Sequence, residues 1–315
     1  MRIERLPHDN QRTQGPEQRD FYRQQSADHL RAIERLAAEA LAARGTAPAR
    51  AVILGAGACT ELPLARIAGA CEQVALVDLD APGMERARNG LPPALRSRVQ
   101  PITADLTGGV SNALTAELQS QPWTDLAQMG NLRDAALIEA ATGCLERCAI
   151  AGAPRIAGLL PGTYGLVISS LTLTQLFSLP LLDIVDHLAR VAPGAAELRE
   201  TSPRYVTAAR AFRRRVALAH LELIASLLAS GGAALLISDV TGYLLPPRDG
   251  AHASDAAEAF AVLPADVLDL ATDLAPRFVR IGRQRRWRWL AAAPRGGQPG
   301  RAYEVAGQVL RLRDA

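Results

Sequence analysis

Two glycines and two acids carry the chemistry that can be read from this chain. Val52-Ile53-Leu54-Gly55-Ala56-Gly57-Ala58-Cys59 is a short apolar run that breaks into a glycine turn and then into helical sequence. Glycines at such a turn let the backbone approach a ligand closely, and the helix that opens there offers free N–H groups. Asp78 stands 23 residues after Gly55, at the end of the next apolar run, Val74 to Val77. A carboxylate in that place accepts hydrogen bonds from ribose hydroxyls. Asp105 ends a third run, Val99 to Ala104, where it can meet the amino group of a base. A nicotinamide fingerprint would be G-x-G-x-x-G/A, and Gly55-x-Gly57-x-x-Thr60 lacks its third small residue.

Further candidates lie at the ends of later runs. Ser169 and Ser170 close Gly165 to Ile168, and Asp239 closes Ala233 to Ser238, with Tyr243 just beyond. Asp239 and Tyr243 are candidate catalytic groups. His252, in the loop after them, is a candidate base, and Tyr22, near the start of an N-terminal helix, is a candidate substrate contact. Cys144 and Cys148 share one helical face, but neither they nor Cys59 have the partners a metal site needs, so no metal is expected. Asp80 reads as a helix cap. His29, His187 and His220 fall in helical sequence, and His187 and His220 read as ordinary helix residues. All 35 basic residues are arginine, so a Schiff-base, P-loop or general-base lysine is excluded.

The elements that must position these groups follow from periodicity. Leu30, Ile33, Ala37 and Leu41 recur at helical spacing and Gly45 ends that helix. Short continuous apolar runs then alternate with helices, which predicts βαβ units and a parallel sheet. About 55 residues separate Asp105 from the fourth strand, against the dozen a crossover needs. The excess reads as helical, over 112–118 and 124–150. Helices are expected over 181–191, 204–228 (closed by Gly231-Gly232) and 255–274 (interrupted near Pro264). Trp287-Arg288-Trp289-Leu290 and Tyr303 to Leu312 alternate, which predicts an antiparallel hairpin with Trp inward and Arg outward.

These blocks, in this order over roughly residues 45–240, resemble the class I S-adenosylmethionine-dependent methyltransferases. The matching segments are Val52 to Cys59, Val74 to Asp80, Ile102 to Leu106, Tyr164 to Ser170 and Gly231 to Asp239. The resemblance implies a doubly wound, seven-stranded, mostly parallel α/β sheet with an antiparallel C-terminal hairpin, plus N-terminal helices and helical inserts. It implies S-adenosyl-L-methionine as cofactor, held by Gly55, Ala56, Gly57, Asp78, Leu79, Asp105, Leu106 and Ser169, with Ser170 on the substrate. Two positions depart from the family. Ile53 stands where an acid is frequent two residues before the first glycine, and Cys59 where a third glycine is common. The methionine amine must then find other acceptors, such as turn carbonyls or Glu61.

Composition bounds the rest. With 315 residues, 49% hydrophobic and 21% charged, the chain can bury a large core. A net charge of +3 gives no strong reason to expect nucleic acid. No apolar run is long enough for a membrane span and no signal sequence is evident, so a cytoplasmic protein is expected. The expected organisation is a mobile arm over 1–19, a helical cap over 20–50, and one domain over 51–315 with inserts near 108–163 and 181–230. The expected function is methyl transfer to a small-molecule acceptor, the N-terminal helix and the insert after Asp105 roofing the pocket. An RNA or protein acceptor, or a non-catalytic cofactor-binding protein, is the alternative, and a homodimer is left open.

Overall fold

A computed structural model describes residues 26–151, 156–246, 257–294 and 299–313. Eight strands form one sheet: β1 (Arg50–Leu54), β2 (Gln73–Asp78), β3 (Val99–Thr103), β4 (Tyr164–Ser170), β5 (Leu228–Leu245), β6 (Glu258–Ala261), β7 (Phe278–Ala292) and β8 (Gly300–Leu312). Their order is β3-β2-β1-β4-β5-β8-β7, with β6 added to β5. β1 to β5 are parallel, while β8 runs antiparallel between β5 and β7. The expected doubly wound α/β sheet with its antiparallel C-terminal hairpin is therefore present.

The apolar runs form these strands because both faces are covered. Val52, Leu54, Val77, Val167 and Leu236 point into one core, and Ala51, Ile53, Leu76, Ile168 and Ile237 into the other. The second core holds α1 (Ala27–Ala43), α2 (Leu64–Ala70) and α3 (Ala81–Asn89), with the short α4 (Pro93–Arg96) beside them. The first holds α5 (Val110–Gln119), α6 (Trp123–Ala127), α7 (Arg133–Arg147), α8 (Leu173–Val191), α9 (Pro193–Leu198) and α10 (Pro203–Leu227). The chain switches faces between β1 and β4, so the crevice of the fold opens at the carboxyl ends of those strands.

α1 is not a roof over that crevice. Its Ile33, Leu36, Ala37 and Ala40 are fully buried, and it packs on β5, β7 and β8. Only its first turn reaches the rim. What stands past the strand ends is the other helical layer. α10 ends where β5 begins, at Leu228 beside Tyr164. Its 25 residues span about 37 Å, against about 23 Å for the seven of β4. About the first third of α10 therefore extends past the end of β4. α8 starts at the strand ends and runs antiparallel beside it, with Phe177 under the Arg213 guanidinium at 6.0 Å. Arg204 pairs with Glu139 and Glu146 of α7, and Trp123 of α6 lies against His187 of α8.

Several expected boundaries move. The stretch expected as one helix over 124–150 is two, parted by Gly130 in a left-handed turn at φ 58°. The helix expected from Leu181 begins at Leu173 and carries Pro180 in its interior, because buried Phe177, Leu181 and Ile184 outweigh a proline cost of about 3 kcal/mol. Gly231 does not close α10 but bends the start of β5, with φ 71°. The helix expected over 255–274 is absent from its described part. β4 stops pairing at Ser170, which leaves the β5 edge open beyond Ile237. β6 fills that edge over Thr241 to Leu244, and turns follow it.

Candidate functional site

Gly55 and Ala56 both donate to Val77 O, at 2.9 and 3.2 Å, which pins the turn after β1 to the end of β2. Gly57 N then donates to Asp78 Oδ2 at 2.9 Å, and Asp80 N to Asp78 Oδ1 at 2.8 Å. A carboxylate has about four acceptor sites, so two remain on Asp78 for a pair of neighbouring hydroxyls. Leu79, next along, is 66% exposed and offers a flat ring an apolar surface. The turn is left-handed at Gly55, Gly57 and also at Cys59, whose φ is 49°. The chain thus keeps the glycine-like backbone at position 59 without the glycine, and backbone strain of this kind gathers at functional sites.

Gly55 has a second reason to lack a side chain. A Cβ there would lie 2.0 Å from Thr172 Oγ1, which itself donates to Leu54 O at 3.1 Å. The loop after β4 therefore presses directly on the turn after β1. Leu171 in that loop is also left-handed, at φ 54°.

The other expected cofactor contacts are engaged within the protein. Asp105 Oδ1 accepts from the amide and the hydroxyl of Thr107, and Oδ2 from Gly109 N at 3.1 Å, so the carboxylate braces the loop into α5. Leu106 and Ala56 are buried, Leu106 among the side chains that pack α5. Ser169 is fully buried and its hydroxyl pairs with His220 Nε2 at 2.8 Å, on the α10 side of β4. Burial holds His220 down at about 4, so it is neutral at working pH. Ser170 differs: its Oγ is buried at the end of β4 without a hydrogen-bond partner. Asp80 caps α3 through Gly83 N at 3.1 Å, as expected.

On the far flank of the turn, Asp239 Oδ1 accepts from Thr174 Oγ1 at 2.5 Å. Burial pushes this carboxyl up to about 6; the Thr174 bond opposes the shift and the nearby Glu61 charge adds to it. Tyr303 on β8 faces the same carboxylate, and burial with that charge raises its phenol. Tyr243, further along β5, carries the Arg288 guanidinium over its ring at 4.9 Å. Tyr22 and His252 lie outside the described residues.

Next to Glu61 lies His29, only 1% exposed. Its ring stacks on Trp289 at 4.5 Å, and its Nδ1 accepts from Trp287 Nε1 at 2.9 Å. Trp289 Nε1 reaches Ser26 Oγ at 3.3 Å. The alternation of Trp with Arg on β7 was legible in the sequence. That the tryptophans clasp the first turn of α1 was not, since the two segments lie 258 residues apart in the chain.

The remaining reactive residue types are quiet. All four cysteines are free, and burial raises each thiol, Cys59 to about 12. Among the described residues no three metal-ligating side chains gather, and no helix is long and apolar enough to cross a membrane. Much of the arginine is engaged: Arg214 pairs with Asp273, Arg285 with Glu39 and Arg286 with Glu304, while Arg215 binds carbonyls.

No family model matches the chain, and no curated protein matches it in sequence. Solved structures resemble it in shape. One is the glycopeptide N-methyltransferase MtfA complexed with (S)-adenosyl-L-methionine, at TM-score 0.39 and 11% identity over 89% of this chain and 94% of that one. A second is an S-adenosylmethionine-dependent methyltransferase from Clostridium acetobutylicum, at 0.40 and 9% over 90% and 92%. A third is the magnesium protoporphyrin IX methyltransferase of Synechocystis with bound SAH, at 0.35 and 14% over 93% and 88%.

Proposed function

We propose that this chain is an S-adenosylmethionine-dependent methyltransferase whose acceptor is a small molecule. The observation that carries the reading is the Asp78 carboxylate tied to Gly57 N at the crevice of a β3-β2-β1-β4-β5-β8-β7 sheet. That pairing sets a carboxylate with spare acceptor sites beside a tight glycine turn near the switch point, where open α/β sheets take their ligands, and this supports a diol there. The residues fit the cofactor. Asp78 keeps two acceptor sites for the ribose hydroxyls, and Leu79 offers a face to the adenine ring.

Bound there, the cofactor would supply a methyl group on a sulfonium, already electrophilic. The chain has then mainly to align the acceptor, and proximity alone is worth about 7–11 kcal/mol. Asp239, with a carboxyl near 6, is suited to take a proton from an acceptor hydroxyl or ammonium near neutral pH. The start of α10, reaching past the end of β4, supports a small acceptor, because a helix there covers the crevice and helps to exclude water from the reacting atoms.

Calorimetry with S-adenosylmethionine, S-adenosylhomocysteine and NAD tests the cofactor, with the first two expected to bind and NAD not. Tighter NAD binding refutes the reading. Mass spectrometry of ligand that copurifies with the protein narrows the acceptor, and tritium transfer to bulk RNA would refute the small-molecule part.

A further inference from the structure

His29 is nearly inaccessible, and one of its ring nitrogens has no partner. The other decides what that nitrogen can do. Trp287 Nε1 is only a donor, so His29 Nδ1 must be the bare, accepting nitrogen. The proton of the neutral ring then sits on Nε2. That nitrogen aims at Glu61 Oε2, 3.7 Å away, and the Glu61 side chain is 17% exposed. Trp287 thus fixes the His29 ring so that its Nε2–H faces the Glu61 carboxylate, at a distance beyond a hydrogen bond. In this state His29 cannot serve as a base.

The position of Glu61 gives this arrangement a purpose. The glycine turn is flanked by acids on both sides. Asp78 holds the β2 side through Gly57. Glu61, four residues past Gly57, lies on the β4–β5 side, close enough for its charge to bear on Asp239. Two carboxylates in one crevice, one of them poorly hydrated, favour a cation between them. A molecule that spans the turn should therefore carry a diol at one end and a cation at the other.

We infer that Glu61 receives the α-ammonium of the cofactor's amino-acid end, and that His29 is the positioning residue that holds Glu61 for it. The inference rests on the cofactor proposed above. It also accounts for Ile53, which leaves β1 without an acid of its own before the turn.

The test separates the two ends of the cofactor. Calorimetry compares S-adenosylhomocysteine with 5′-deoxy-5′-methylthioadenosine, a nucleoside thioether that lacks the amino-acid group. Glu61→Gln should weaken S-adenosylhomocysteine about ten- to a hundredfold, the range for a hydrogen bond to a charged group, and change methylthioadenosine less than about twofold. His29→Gln should lower the same preference by about three- to tenfold, since its shorter reach holds Glu61 less well. A merely structural role would move both ligands together, and thermal melts report any loss of fold. If the wild type binds S-adenosylhomocysteine and Glu61→Gln keeps the preference, the assignment of Glu61 is wrong while the cofactor reading stands. If the wild type binds neither ligand, both are wrong.

Discussion

Replacing Asp239 by Asn should stabilise the protein above neutral pH and leave it unchanged near pH 4. Burial holds the folded carboxyl at about 6, against an ordinary 3.8. The folded state therefore binds a proton more tightly than the unfolded chain. The stability this adds is complete below about 3.8 and is lost as pH rises through about 6. A gap of about 2 units costs about 3 kcal/mol once the group is ionised. Asn keeps an acceptor for Thr174 Oγ1, now at 2.5 Å, and never ionises. At about 2.1 cal/mol/K per residue the unfolding entropy of this chain is about 0.7 kcal/mol/K, so 3 kcal/mol is about 4–5 °C of melting temperature. Calorimetric melts of both proteins from pH 4 to 8 measure it. The difference should open between about pH 4 and 6 and be flat above 7. A variant that melts at or below the wild type at pH 8 would show that a cation or water already satisfies Asp239, and the argument from its burial would fail.

Four further outcomes follow from the same contacts. Asp78→Ala should weaken S-adenosylhomocysteine and methylthioadenosine alike, by about tenfold or more, because it removes charged acceptors from the shared ribose; calorimetry reads this, and unchanged affinity moves the ribose site elsewhere. Gly55→Ala should cost several kcal/mol by denaturant melts, on the order of an overpacked core site with added backbone strain, since its Cβ would sit 2.0 Å from Thr172 Oγ1 at φ 72°. In the native protein Cys59, half-buried with its thiol held near 12 by desolvation and the Asp78 charge, should react with iodoacetamide at pH 8 far more slowly than the denatured chain; equal native and denatured rates would refute that shift. Truncation before Gly45 should unfold the protein rather than merely disable it, because α1 takes fully buried Ile33, Leu36, Ala37 and Ala40 with it; a folded truncation seen by circular dichroism would refute that.

The parallel half of the sheet was legible in the sequence because each of its signals is local. Val52 to Leu54 and Val74 to Val77 are continuous apolar runs, and such runs are stable only as strands covered on both faces. The glycine turn and the strand end at Asp78 were legible for the same reason, since each directly follows a continuous apolar run. Other features depended on partners far away in the chain. β6 exists because β5 outruns β4, which no property of residues 258–261 reveals. Ser169 and Ser170 are neighbours of one type, yet the pleat turns one to His220 and leaves the other buried without a partner. His29 read as one more helix residue until Trp287, 258 positions later, fixed which of its nitrogens carries the proton. Periodicity reports which side of an element meets the core, because burial acts on residue type alone. It does not report which polar atoms meet each other, because a hydrogen bond needs two groups within about 3 Å and only the folded chain sets that distance.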